Sequence, residues 1–290
     1  MKNALILSSA LLVVLAACGK KDAPPADPIT FDTPGTETPA VQPAAVLPDP
    51  LTTAVADLPR AITVDDDTLK ADVKFNDAIF SFAPAIAMDV VEDARTRLQA
   101  MQEDAAALKE SDPEYFRPYG LKIDWIVSGA SSPLAGLEGF VYTYTGGAHG
   151  NYMTDGRVYD TITGDQLEAR DLFTDSDATA AALADTVYKA IAEAKVARNP
   201  DMGNYDFFLG ESKDAVGVSD ILMGEISLVG STEPGKLGGL AIHYAPYEIG
   251  SYAEGAYHIT VPQAAFHDFL KPEYAAAFAG EPAAFKRADE

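Results

Sequence analysis

The chain has 290 residues, 48% of them hydrophobic, and its 44 acidic side chains against 21 lysines and arginines give a formal net charge of −23. A field of that sign repels phosphate backbones, which excludes nucleic acid as a partner, and it attracts cations and basic proteins. A single cysteine excludes an internal disulfide, and a mean hydropathy of −0.02 fits a globular body whose core must hold the fold.

The first element in chain order is a leader. Lys2 precedes an apolar run, Ala4 to Leu15, that is shorter than the roughly 20 residues needed to cross a bilayer. It ends in Leu15-Ala16-Ala17-Cys18, the small-residue pattern of a lipoprotein cleavage site. Residues 1–17 are therefore expected to be removed, with lipid on Cys18 as the membrane link. Gly19 stands where an aspartate would retain such a protein in the inner membrane, so the expected location is the outer membrane, facing the periplasm. Residues 18–60 are rich in Pro, Ala, Thr and Asp without apolar periodicity, the composition of a disordered tether.

Within the body, a strand is expected over Asp72 to Phe82, then a helix from about Ile86 to Lys109. Ala87, Val91, Ala94, Leu98, Met101, Ala105 and Leu108 recur there at spacings of four and three, and Asp112-Pro113 stops it. Alternation of Leu121, Ile123, Trp125 and Val127 with less apolar residues predicts a half-buried strand. Phe140–Thr145 and Tyr152–Ile162 read as two more, joined through Gly146-Gly147-Ala148-His149-Gly150, with a turn at Thr163-Gly164-Asp165. Thr174 to Asp177 has the form of a capping box before a second helix with Leu183, Val187, Ile191 and Ala194 on its buried face. From Pro200 to about Gly217 the pattern reads as loop. Strands are expected near Glu225–Val229, Leu240–Tyr244 and Tyr257–Val261, and short helices close the chain. Clustered strands with segregated helices predict an α+β fold: a mostly antiparallel sheet with two long helices packed on it, in two subregions.

Chemistry-bearing motifs are few. The glycines around His149 expose backbone amides and permit a tight turn, but no Gly-Lys-Ser/Thr follows, so this is not a phosphate loop. His149, His243, His258 and His267 never fall at helical metal-pair spacing, and no metal or cofactor is implied. His243 and His258 lie opposite the apolar residues of their strands, which predicts a solvent face. No Gly-x-Ser-x-Gly elbow occurs, and no catalytic pair can be named among so many acids. Asp65-Asp66-Asp67 reads as a solvated acidic run, lacking the spacing of a calcium loop. Between two strands, Tyr244 to Gly255 concentrates Tyr244, Tyr247 and Tyr252 with Glu248 and Glu254. That composition suits a sugar ring or a protein hot spot, and equally a connection packed under the sheet.

Tyr144-Thr145-Gly146-Gly147-Ala148-His149-Gly150, Tyr159-Asp160 with Thr163-Gly164, Asp171-Leu172-Phe173, Tyr244 with Pro246-Tyr247-Glu248-Ile249, and Tyr252 to Gly255 followed by Val261-Pro262 occur in this order. Together they resemble the envelope domain family of the extracellular, lysozyme-binding part of the RsiV anti-sigma factor and the non-catalytic N-terminal module of the PdaC peptidoglycan deacetylase. The resemblance implies an N-terminal subdomain over 61–173, a C-terminal one over 174–280, and a tail at 281–290. It also implies a binding module for lysozyme, another basic protein or peptidoglycan. Tyr144, Gly146, Gly147, His149, Tyr247, Glu248, Tyr252 and Glu254 are the expected contacts. RsiV-type signalling is not expected of a lipid-anchored domain, and the absence of His-x-x-x-His keeps deacetylase activity from being carried over. Two other readings stay open: a wall-modifying enzyme using His149 and a carboxylate, and a structural lipoprotein.

Overall fold

A computed structural model describes residues 55–285 and 287; Cys18, the leader and nearly all of the tether lie outside that range. The fold is α+β, and no helix among the described residues is long and apolar enough to cross a membrane. Strands β1 (Ala61–Asp65), β2 (Leu69–Phe75), β3 (Tyr119–Ser131), β4 (Leu134–Tyr144), β5 (Asn151–Asp160) and β6 (Gln166–Leu167) form one sheet in chain order. Only β2 and β3 are parallel, because helix α1 (Pro84–Ser111) connects them. Strands β7 (Glu225–Gly230), β8 (Leu237–Tyr244) and β9 (Tyr257–Pro262) form a second, antiparallel sheet.

Each sheet has its own long helix, which gives the two expected subregions. In α1, Ile86, Val90, Val91, Ala94 and Leu98 pack on Val73, Ile123, Trp125 and Leu137 of the first sheet. In α2 (Ser176–Arg198), Leu183, Val187 and Ile191 pack on Ile226, Leu240 and Ile259 of the second. Leu134 and Val158 point from the far face of the first sheet into this second core, which gives the layer order helix, sheet, sheet, helix.

Glycine sets how closely the sheets meet. A Cβ on Gly129 would stand 2.5 Å from the Gly230 nitrogen, one on Gly156 2.5 Å from the Ile226 nitrogen, and one on Gly136 against the Leu228 backbone. Strand β7 thus crosses β3, β4 and β5 at backbone contact, which only glycine allows.

Three local expectations differ from the structure. The first body strand ends at Phe75, because the Asn76 side chain accepts from the Ala78 amide at 2.9 Å and starts a 3-10 turn over Asp77–Ser81. The cap of α2 is Asp175, accepting from the Ala178 amide at 3.0 Å, while the Thr174 hydroxyl donates to the Phe269 carbonyl. The expected loop after Pro200 contains helix α3 (Tyr205–Ala215), capped by Asn204 and held to α2 by the Lys195–Glu211 ion pair at 2.8 Å. The acidic run Asp65-Asp66-Asp67 is exposed, as expected, and leads from β1 into the β1–β2 turn: Asp66 accepts from the Thr68 and Leu69 amides, and Asp67 pairs with Lys109. A final short helix, α4, spans Pro272–Ala275. Asp175→Ala is expected to cost about 1 kcal/mol in urea unfolding, the loss of one cap.

Candidate functional site

The β4–β5 turn and the β8–β9 connection, about a hundred residues apart, meet at one edge. Gly146 and Gly147 take φ of 96° and 94°, and the Tyr144 hydroxyl donates to the Gly147 carbonyl at 3.1 Å. The turn then delivers His149 to Tyr252: the rings stack at 4.1 Å with planes 27° apart. Both side chains reach the Gly150 carbonyl, Tyr252 by its hydroxyl at 2.6 Å and His149 by Nδ1 at 2.9 Å. A carbonyl can only accept, so His149 carries a hydrogen on Nδ1. Tyr152 meets Tyr252 edge-on at 6.2 Å, and Tyr247 lies 5.5 Å away on the outer side. Tyr247 is 64% exposed and its backbone sits at φ 78°, a left-handed conformation that tyrosine seldom adopts.

The acidic members play a different part from the aromatic ones. Glu248 accepts from the Ala245 amide at 2.8 Å and closes its own turn. Glu254 turns inward, accepting from the Ser251 amide and the Tyr257 hydroxyl, both at 2.7 Å. Burial pushes the Glu254 carboxyl up, but those hydrogen bonds and nearby Lys195 outweigh it and hold it below its ordinary range. Arg198, at the end of α2, donates to the Glu254 and Ala256 carbonyls and stacks over Tyr257 at 4.1 Å. What the edge offers outward is therefore an aromatic ledge of Tyr247, Tyr252, His149 and Tyr152 on a braced backbone. Among the described residues no carboxylate lies within hydrogen-bonding distance of the His149 ring.

His243 and His258 are not on a solvent face. Alternation placed them opposite the apolar side correctly, but the first sheet covers that side, and His243 is buried. Ser227 Oγ lies 2.8 Å from Glu138 Oε1 and 3.0 Å from His243 Nε2, and His243 Nδ1 lies 2.8 Å from His258 Nδ1. The hydrogens follow from the carboxylate, which can only accept. Ser227 donates to Glu138, His243 Nε2 donates to Ser227, and His258 Nδ1 donates to His243. Arg287, in what was expected to be a tail, donates to the same Glu138 oxygen at 2.7 Å. Burial drives His243 well below its ordinary pKa, reinforced by the charges of His258 and Arg287, so it stays neutral. Burial pushes the Glu138 carboxyl up, with Arg287, Ser227 and His258 pulling the other way. The strand glycines and Glu138 within an apolar stretch were the sequence signals for a polar row at a sheet contact.

At the β5 edge of the first sheet an open cleft of about 490 Å³ lies between α1, β5 and β7, with Asp89, Glu92, Asp93, Asp155 and Glu225 among its walls. Its acids are partly neutralised: Arg97 pairs with Asp155 at 2.5 Å and Asp93 at 2.9 Å, and Arg157 with Asp89 at 2.9 Å.

Comparison with known proteins follows the two sheets. Residues 52–152 match the family described as Deacetylase PdaC, and residues 236–264 match the protein family of unknown function DUF3298. The chain joins a PdaC-type segment to a DUF3298 segment. Both matches overlap the stretch that carries the motif resemblance, in the same order. No curated protein matches it. A DUF3298 family protein of Bacteroides fragilis shares its fold with a TM-score of 0.51 at 16% identity, covering 75% of this chain and 95% of that one. A DUF3298 family protein of Pseudomonas aeruginosa gives 0.44 at 16% identity over 75% and 91%. The PdaC-type segment contains His149 and Tyr152, and the DUF3298 segment contains Tyr247 and Tyr252, so the ledge is built jointly by both.

Proposed function

We propose that this protein is a lipid-anchored recognition domain that binds the glycan of peptidoglycan on the ledge of Tyr247, Tyr252, His149 and Tyr152. The observation that carries this reading is the His149–Tyr252 stack, which brings together two distant segments and leaves Tyr247 projecting beside them. Aromatic faces with hydroxyl rims suit sugar rings, whose C–H faces stack while their hydroxyls hydrogen-bond. The left-handed backbone at Tyr247 costs roughly 1–3 kcal/mol and is consistent with a side chain held in place for contact. Isothermal titration with soluble muropeptides tests this. Tyr247→Ala and Tyr252→Ala are expected to weaken binding by about tenfold or more with the circular dichroism unchanged. No heat of binding at millimolar ligand would sink the reading.

Net charge favours a second reading, a basic protein such as lysozyme, drawn by the overall charge of −23 and the open acidic cleft. Lysozyme inhibition measured across salt concentration decides it, since steered capture weakens steeply as salt rises. Lipid on Cys18 supplies the anchor in either case, and a tether that ends before Val55, which is buried in the domain, gives a reach of roughly 35 Å from the outer membrane. Cys18→Ser is expected to move the protein into the soluble periplasmic fraction, whereas unchanged membrane sedimentation would refute lipid anchoring.

A further inference from the structure

The turn that carries Tyr252 onto the ledge is closed from behind. It is a three-residue 3-10 turn, Tyr252–Glu254, whose own hydrogen bonds have the poorer geometry of that helix type. Glu254 closes it by folding back: Oε1 accepts from the Ser251 amide and Oε2 from the Tyr257 hydroxyl, both at 2.7 Å. The carboxylate lies so close over the entering chain that a Cβ on Gly250 would stand 2.6 Å from Oε2. Tyr252 in turn donates to the Gly150 carbonyl and stacks on His149, so the alignment of the ledge depends on Glu254.

Behind Glu254 stands Lys195 of α2. Its side chain is wholly buried, with Nζ 2.8 Å from Glu211 Oε2 on α3 and 3.8 Å from Glu254 Oε2. The Phe208 and Tyr257 rings flank the ammonium at 5.9 and 6.0 Å. Tying α2 to α3 does not by itself call for burial, because Glu211 is 44% exposed and an ammonium is costly to take out of water. The second carboxylate explains the depth: the Glu254 side chain is 13% exposed and lies on the inner side.

We infer that Lys195 is the positioning residue of the ledge, holding the Glu254 carboxylate in place as the acceptor that closes the Tyr252 turn. A charged carboxylate accepts more strongly than a neutral carboxyl, so the Ser251 and Tyr257 bonds need Glu254 ionised. Burial pushes that carboxyl up, and the hydrogen bonds from Ser251 and Tyr257 together with the charge of Lys195 bring it below its ordinary range. Two neighbours on α2 act differently. Arg198 donates to the Glu254 and Ala256 carbonyls and fixes the main chain leaving the turn, and Asn199 offers Oε2 a neutral donor at 3.5 Å.

Two variants break the same Lys195–Glu211 pair with opposite consequences for Glu254. Lys195→Met removes the cation, so the Glu254 carboxyl is expected to titrate higher than in the parent. Glu211→Gln leaves the cation to Glu254 alone and removes a nearby negative charge, so the same carboxyl is expected to titrate lower. Carbon NMR titration of the full chain reads both shifts, and cross-relaxation between the His149 and Tyr252 ring protons reads the stack. In Lys195→Met the ring contact is expected to weaken and muropeptide affinity to fall about tenfold or more, while Glu211→Gln keeps both. Should Lys195→Met fail to fold, Glu254→Gln, at a partly exposed side chain, is expected to lose ring contact and affinity in the same way. The role of Lys195 in binding rests on the glycan reading, whereas the ring contact and the titration are read without ligand. A parent that binds no muropeptide would therefore remove the glycan reading, with opposite shifts and a weakened stack still supporting Lys195 as the residue that sets the turn. Glu254 titrations that move the same way in both variants, a stack left intact in Lys195→Met or Glu254→Gln, or a stack lost equally in Glu211→Gln would each overturn the assignment.

Discussion

Gly136→Val is expected to destabilise the protein by at least about 3 kcal/mol and to undock the second sheet. Position 136 lies in β4 where β7 passes at backbone contact, and even a Cβ there would collide with the Leu228 main chain, which cannot rotate away. Gly129 and Gly156, flanking it on β3 and β5, have the same contact with Gly230 and Ile226, so a shift that relieves one position tightens another. Opening the sheets would also expose Glu138, Ser227 and His243, which are satisfied chiefly by one another. Urea unfolding followed by the single tryptophan, Trp125, checks the loss, and limited proteolysis checks the site of opening. A stability within about 1 kcal/mol of the parent would mean that the sheets do not meet this tightly.

Asp155→Asn is expected to remove a pH dependence of about 2 kcal/mol between about pH 7.5 and about pH 4.5. Asp155 is 3% exposed, and burial lifts its carboxyl to about 6, with Arg97 pulling down and Glu225 pushing further up. The folded state thus holds this proton more tightly than the unfolded chain. Stability from this group is therefore gained as the pH falls through about 6 and lost as it rises. Protonation leaves Arg97 with Asp93 at 2.9 Å, so no bare guanidinium results. Since the chain's large negative charge also favours mildly acidic pH, the measurement is the difference between parent and variant unfolding curves. Identical pH slopes for the two would refute the assignment.

Residues 55–287 show where sequence reading succeeds. Period-4/3 and period-2 patterns placed α1, α2, β3 and β5 within a few residues, because burial on one face imposes those periods on any chain that folds this way, whereas β4 begins at Leu134, well before the expected Phe140. The reading failed where a short polar side chain competes for the backbone. Asn76 ended a strand early and Asn204 began a helix in a stretch that Pro200 and Gly203 make look irregular. Of the expected contact residues, His149, Tyr247 and Tyr252 come together at one edge, with Tyr144 and the two glycines shaping the turn beneath them. Glu254 does not face outward there, since its hydrogen bonds turn it toward Ser251 and Tyr257.

By itself the sequence determined the α+β class, the acidity and the two helix faces, all of which are set by local composition and period. Only the tertiary structure decided that the polar side of β8 and β9 is an interior and that Arg287 closes it. It also decided that the His149 turn meets Tyr252. Alternation tells which side chains share a face. It carries no information about which other layer covers that face, because that depends on contacts between residues about a hundred positions apart.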